Sequence, residues 1–389
     1  MFKNILISGL LCTFLSAESF DTFLQKAITN SPYLKSNALA LNQAKEQGSV
    51  VTRYSNPTLE LEHSTISHDG GDDESGYRIN YSQPIRLWNI ADTRESLASN
   101  ILNSANASYE QQKAIFIRDI SLAFSLYAQQ KMLLSLGDEE LSIAKRIYDI
   151  SMARYQSGTV SRGLMLQSKV DYETIKVSKA SLELALNQSY YRLLGFAGIN
   201  EEVQLDSEYT FNVISTSDNL TNPNIKFLQS KKEQSLSLAK LNSNKIEWIN
   251  IYTEYEYDPE QYTYRFGANF PLAFFNTKAE EKKIAKLQAS RSQLLIDNET
   301  KRLNIEVKRL QKESTSLKNL RLQNENILTT EIELLDMFKE GYKIANINLL
   351  QLQDVKNKVI FTKRSLIQIH TSLNQNAINI NYNQGSYND

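Results

Sequence analysis

The chain has 389 residues and a formal net charge of −1, a balance that provides no broad basic footprint for nucleic acid. Glycine (13) and proline (6) are scarce and tyrosine (20) is abundant, which argues against a loop-rich enzyme and for long helices with an aromatic-rich surface. The single cysteine, Cys12, lies in the first segment, so the mature chain would hold neither disulfides nor thiolate metal sites.

The N-terminus reads as a cleavable secretory signal over residues 1–17. Lys3 supplies its charge, Ile5 to Leu15 its apolar core and Ser16-Ala17 its cleavage site. The stretch is shorter than the roughly 20 residues a spanning helix needs. Leu11 stands before Cys12 where a lipoprotein needs a small residue, so no lipid anchor is expected. No later segment resembles a transmembrane helix, so any membrane entry must be through β-strands.

The prolines form two groups, Pro32, Pro57, Pro84 and Pro223, Pro259, Pro271, each followed by a long proline-free stretch. Proline costs about 3 kcal/mol inside a helix, so these stretches permit very long helices. Ser31-Pro32 and Asn222-Pro223 each place a capping residue before a first-turn proline, opening helical runs over 33–47 and 225–245. Alternation of period two then marks strands. Leu59 and Leu61 alternate with Glu60 and Glu62, and Tyr77, Ile79 and Tyr81 with Arg78, Asn80 and Ser82. In the second half Ile249, Ile251, Tyr255 and Tyr257 precede a turn at Asp258-Pro259-Glu260, and Tyr262, Tyr264, Phe266, Ala268 and Phe270 follow.

Heptad-like spacing over 92–136 and 276–340 predicts two long helices, the second on the order of 100 Å if unbroken. Each ends in a turn, Tyr155-Gln156-Ser157-Gly158 and Phe338-Lys339-Glu340-Gly341, before a leucine-rich return helix. The pattern repeats once at about 185 residues, too long for a solenoid and read as an internal duplication. The expected organisation is a first repeat over 18–200, a linker over 201–221, a second repeat over 222–371, and an extended or poorly ordered polar tail over 372–389. The fold class is mainly α with β: internally duplicated long-helix hairpins plus two β-hairpins. Four strands cannot close a barrel, whereas three chains would give twelve and an open lumen. Tyr77, Ile79, Tyr81, Tyr262, Tyr264, Phe266 and Phe270 are the candidate lipid-facing residues.

Neither catalysis nor a cofactor is legible. No phosphate loop, dinucleotide turn or nucleophile elbow is present, so energy must come from a partner. His63 and His68 beside Asp69, Asp72, Asp73 and Glu74 read as a solvated loop, because nothing nearby supplies a rigid ligand set.

These residues resemble the TolC-type outer-membrane efflux family over the mature chain. The features that carry the likeness are Ser31-Pro32, Asn56-Pro57-Thr58-Leu59, Gln83-Pro84-Ile85 and the tips Tyr155 to Ser161 and Phe338 to Lys343. The compact length is similar to the heavy-metal (cobalt–zinc–cadmium or copper) branch. The resemblance implies a homotrimer whose twelve-stranded barrel spans the outer membrane of a Gram-negative bacterium and whose α-helical tunnel extends into the periplasm. It implies passive efflux or type I secretion, with a periplasmic adaptor docked at Tyr155, Gly158, Thr159, Val160, Ser161, Phe338, Gly341, Tyr342 and Lys343 and coupled to an inner-membrane transporter of RND or ABC type. Arg86-Leu87-Trp88-Asn89 departs from the glycines often found in the family after the first hairpin. Ile347 and Leu350 stand where the family often has acids six and nine residues past the second tip glycine. Asp171 and Asp354, each thirteen residues past its tip glycine, either form a lumen ring in a trimer or sit on a solvated face. Lys343 either pairs across helices to hold the pore closed or is simply exposed. The rival from another class is a periplasmic adaptor or coiled-coil scaffold with no pore.

Overall fold

The computed structural model describes residues 18–67, 69–70, 72–214, 222–259 and 261–386. The expected signal, Cys12, His68, Glu260 and part of the linker lie outside them. The elements run α1 (Phe20–Asn30), α2 (Pro32–Thr52), β1 (Thr58–Ile66), β2 (Glu74–Arg86), α3 (Trp88–Gln156), α4 (Arg162–Ala197), α5 (Pro223–Leu241), β3 (Trp248–Asp258), β4 (Gln261–Asn269), α6 (Ala279–Lys343) and α7 (Leu349–Gln384). The described residues are mostly helical, with four strands. Among the described residues no helix is long and apolar enough to cross a membrane.

Two compact units are built, each from both halves of the sequence. One combines the described parts of 1–35, 113–220 and 303–389; the other combines the described parts of 36–112 and 221–302. The first is organised around Phe20, Phe23, Phe116, Ile120, Phe124, Leu193 and Leu205. Phe20 makes tilted and edge contacts with Phe124 and Phe211, with ring centroids 4.7 and 4.9 Å away. The second unit holds all four strands and a smaller cluster of Ile90, Leu97 and Leu241.

The two expected hairpins form one antiparallel sheet in the order β1-β2-β3-β4, because β2 also pairs with β3, Tyr77 opposite Tyr257 and Arg86 opposite Trp248. Among the described residues the edge strands β1 and β4 each have one partner.

The polar tail is a correction. Helix α7 runs without a break through residue 372 to Gln384 and closes on Gly385 with φ 77°. Its asparagines are weak helix formers by propensity, but here they serve a neighbour. Asn374 Oδ1 accepts from Phe211 N at 3.1 Å, and Asn381 Oδ1 accepts from Ile214 N at 2.9 Å while its amide donates to Asn212 O. The extended segment thus finds partners for its backbone on a helix face. Helix α4 ends the same way, on Gly198 with φ 69°. Both return helices span 36 residues, and their terminal glycines are 187 positions apart.

Candidate functional site: a two-faced sheet and paired helix tips

The sheet register sorts side chains by chemistry, because residues in register share a face. Ile79 lies opposite Leu61 and Tyr255, Tyr255 opposite Tyr264, and Tyr257 opposite Tyr77 and Tyr262. Rings touch across strands, Tyr77–Tyr257 at 5.0 Å and Tyr255–Tyr264 at 5.1 Å between centroids. Tyr77, Ile79, Tyr81, Tyr262, Tyr264, Phe266 and Phe270 are all exposed, so nothing among the described residues covers this apolar face. The other face is polar: Arg78 binds Glu62, and Arg265 binds Glu254 and Glu256. A Cβ at Gly267 would sit 2.5 Å from the Tyr252 ring opposite it, so glycine is needed there for that ring to lie across β4.

The sheet ends in a tight junction. Arg86 is buried, donates to the carbonyls of Thr52 (2.9 Å) and Arg53 (2.6 Å), and stacks on Tyr54 and Trp248 at 4.3 and 4.8 Å. It therefore satisfies the terminal carbonyls of α2, a role glycine has no atoms to fill. Glu247 accepts from Arg94 and Lys278; burial alone would raise its pKa, but these two cations hold it below the usual carboxylate range.

At the helix tips the two halves repeat one backbone motif. In the first, Gly158 N donates to Tyr155 O (3.0 Å), and Thr159 N and Val160 N to Arg154 O (2.8 and 3.3 Å). In the second, Ala345 N donates to Tyr342 O (3.4 Å), and Asn346 N and Ile347 N to Gly341 O (2.9 and 3.3 Å). Every pair is separated by 187 positions, as are the N-caps Ser161 and Asn348. Gly158 (φ 73°) therefore corresponds to Ala345 (φ 69°), not to Gly341, which is helical. Matching the two glycines misplaced the register because alanine holds the left-handed position in the second tip, at a strain of about 1 kcal/mol or more. Asp171 then corresponds to Lys358 and Asp354 to Gln167, so the two acids do not share a level in the repeat.

The predicted tip residues divide. Gly158, Thr159 and Ser161 are exposed, with Val160 half-buried, and Thr159 shares a 2.7 Å hydroxyl contact with Ser157. Tyr155 is 39% exposed, whereas its counterpart Tyr342 is 1% exposed, so Tyr342 positions the tip rather than presenting a docking surface. Tyr342 packs with Ile147, Leu335, Leu349, Leu352 and the half-buried Phe338. Its hydroxyl lies 2.8 Å from Ser151 Oγ, and Arg154 donates to its carbonyl at 2.8 Å while covering its ring. Gly341 is needed beside it, since a Cβ there would meet Ile347 Cγ1 at 2.6 Å. Lys343 binds Glu340 within its own helix, not across helices. Asp354 pairs with Lys358 at 2.8 Å on an exposed face. Asp171 instead binds the buried Lys356 at 2.7 Å, joining α4 to α7. Ser151, Arg154 and Lys356 escaped the sequence reading; the 187-residue offset, which pairs Tyr155 with Tyr342, was the available signal. Among the described residues no group of His, Cys, Asp or Glu is arranged to hold a metal.

The outer membrane efflux protein family matches this chain over residues 23–198. The TolC-type resemblance read from the sequence holds. The fold agrees over nearly the whole length. The chain is similar to CusC, known from crystal structures concerned with folding and transmembrane channel formation, with TM-score 0.81 and 13% identity over 96% of this chain and 94% of that one. It is similar to the Campylobacter jejuni CmeC outer membrane channel with TM-score 0.77 and 15% identity, covering 94% and 85% of the two chains. Against the Vibrio cholerae outer membrane protein VceC the TM-score is 0.77 at 13% identity, with 94% and 96% covered. At these identities the likeness establishes the efflux-protein fold. No curated protein matches the sequence.

Proposed function

We propose that the protein is the outer-membrane channel subunit of a tripartite efflux or type I secretion system. The observation that carries this reading is the sheet: four strands with two open edges, an exposed aromatic face and a polar, charged opposite face. Such a sheet is incomplete alone, since open edges are not tolerated in lipid. Three copies joined edge to edge give twelve strands with the aromatics toward lipid and the ion pairs toward a water-filled lumen. Val170, Val177, Leu184 and Tyr191 of α4 are exposed at seven-residue intervals, which supports packing of that helix against a neighbouring copy.

The protein conducts passively and catalyses nothing. A periplasmic adaptor docks on the exposed tip residues, an inner-membrane transporter supplies energy, and movement of the tip helices opens the pore. Asp354, exposed in its pair with Lys358, contributes three carboxylates to the tunnel of a trimer. The signal over 1–17 and the absence of a lipid anchor are part of the same proposal. The test is purification in detergent followed by chemical cross-linking and planar-bilayer recording: a trimer that makes pores is expected. A water-soluble monomer that makes none would overturn the reading in favour of a periplasmic adaptor or scaffold.

A further inference from the structure

The second unit carries an open groove of 530 Å³ between α3, α5 and α6, walled by Leu97, Ile101, Phe227, Leu228, Leu238 and Leu295. Its size falls in the range of small-molecule pockets. A smaller lobe of 230 Å³ between α2, α3 and α5 joins it at Ile101, Phe227, Lys231 and Gln234. Helices α3 and α5 line both lobes, so they are the inner pair of the four helices, as β2 and β3 are of the four strands. Among the described residues no Asp or Glu lines either lobe, whereas Lys231 and Arg291 do. Arg94, Arg265 and Arg302 of the same unit each pair with a glutamate; among the described residues neither Lys231 nor Arg291 meets an acid. The Lys231 ammonium lies 5.9 Å from the Phe227 ring centroid and 3.4 Å from Gln234 Oε1, where the lobes meet.

We propose that this groove binds single-chain amphiphilic anions, with carboxylate or sulfonate heads, as solutes on their way through the channel. This rests on the channel reading and gives it a class of solute. An alkyl chain laid along the leucines leaves water, and the anion finds two cations that no protein carboxylate neutralises. Arg291 offers a planar fork to such a head and Lys231 a point charge. The smaller lobe is bordered by Ser104, Ser108 and Tyr109, whose hydroxyls suit a polar head, and the larger by leucines, which suit one chain. A metal cation is repelled by the same two charges. In α5, Lys226, Lys231, Lys232, Glu233 and Lys240 keep the groove out of hydrocarbon, so its occupant arrives through water and not from a bilayer leaflet.

The test titrates the full-length protein, held in phosphatidylcholine nanodiscs, with the fluorescent anion dansylaminoundecanoic acid, the signal of empty discs being subtracted. Saturable binding is expected. Lys231→Gln combined with Arg291→Gln should weaken it about tenfold or more, the worth of a charge-assisted contact, while Lys232→Gln, beside the groove, leaves it unchanged. The probe's methyl ester should bind the unsubstituted protein and the double variant alike. In planar bilayers the anion should reduce the pore current of the unsubstituted protein and spare that of the double variant. Equal anion affinity in the two proteins, tighter binding of the corresponding dansylated alkylamine, or binding without any effect on current overturns the proposal and leaves the channel reading intact. So does an absence of saturable binding to protein that makes pores, the result if a neighbouring copy fills the groove. Anion binding to protein that makes no pores overturns the channel reading, and with it the anion's role as cargo.

Discussion

The two helix tips share a backbone and differ in what their side chains do. Each closes with the same three hydrogen bonds around a left-handed residue, yet the first presents Tyr155 to solvent and the second buries Tyr342. The difference lies in the neighbours. At the position of Gly341 the first tip has Arg154, which reaches over to cap and cover Tyr342; no equivalent arm returns to Tyr155 from a glycine. The first tip thus braces the second. A duplicated backbone fixes where a side chain starts, and its partners decide whether it becomes core or surface.

The sharpest way to break that comparison is truncation. Tyr342→Ala should cost about 3–5 kcal/mol of stability in denaturant unfolding, whereas Tyr155→Ala should stay within about 0.5 kcal/mol. Equal losses would mean that the asymmetry of burial carries no energy. Next come the carboxylates. Asp171→Ala leaves the Lys356 ammonium buried without its partner and should cost about 3 kcal/mol, less if water reaches the half-buried acid. Asp354→Ala, which breaks an exposed pair, should leave the unfolding midpoint where it is.

Glycine swaps probe the backbone with smaller effects. Gly341→Ala should destabilise by about 1–3 kcal/mol through the clash with Ile347. Gly158→Ala should cost about 1 kcal/mol from its positive φ alone, since open space surrounds it, and Ala345→Gly should gain a similar amount. Opposite signs at these two positions would establish their equivalence in solution; the same sign would refute it.

The smallest effect concerns pH. Burial first, and Arg321 second, push the His370 imidazole below its ordinary 6.5. The folded state therefore favours the neutral ring, so the contribution is intact above that value and is lost as pH falls below it, where the unfolded chain binds the proton more readily. Its repeat counterpart, Glu183, is exposed and paired with Lys179. His370→Gln should flatten the fall in thermal midpoint between neutral pH and about pH 5 relative to the unsubstituted protein. An unchanged slope would place the titration elsewhere.

Much of this protein was written locally. Period-two alternation marked the four strands and their apolar faces, and proline-free stretches marked the long helices. Capping residues before Pro32 and Pro223 marked where two helices begin. These are properties of neighbours along the chain, set by backbone geometry and side-chain spacing, so a single sequence carries them. What the sequence reading missed depended on partners far away. The pairing of β2 with β3 joined two hairpins into one sheet. The extended 209–214 segment drew an asparagine-rich stretch into α7, against its propensity. Arg154 and Ser151 decided that Tyr342 and not Tyr155 is buried, and Asp171 allowed Lys356 to sit inside the helix packing. A buried polar or aromatic group is stable only if its partners arrive, and only the tertiary structure brings them together.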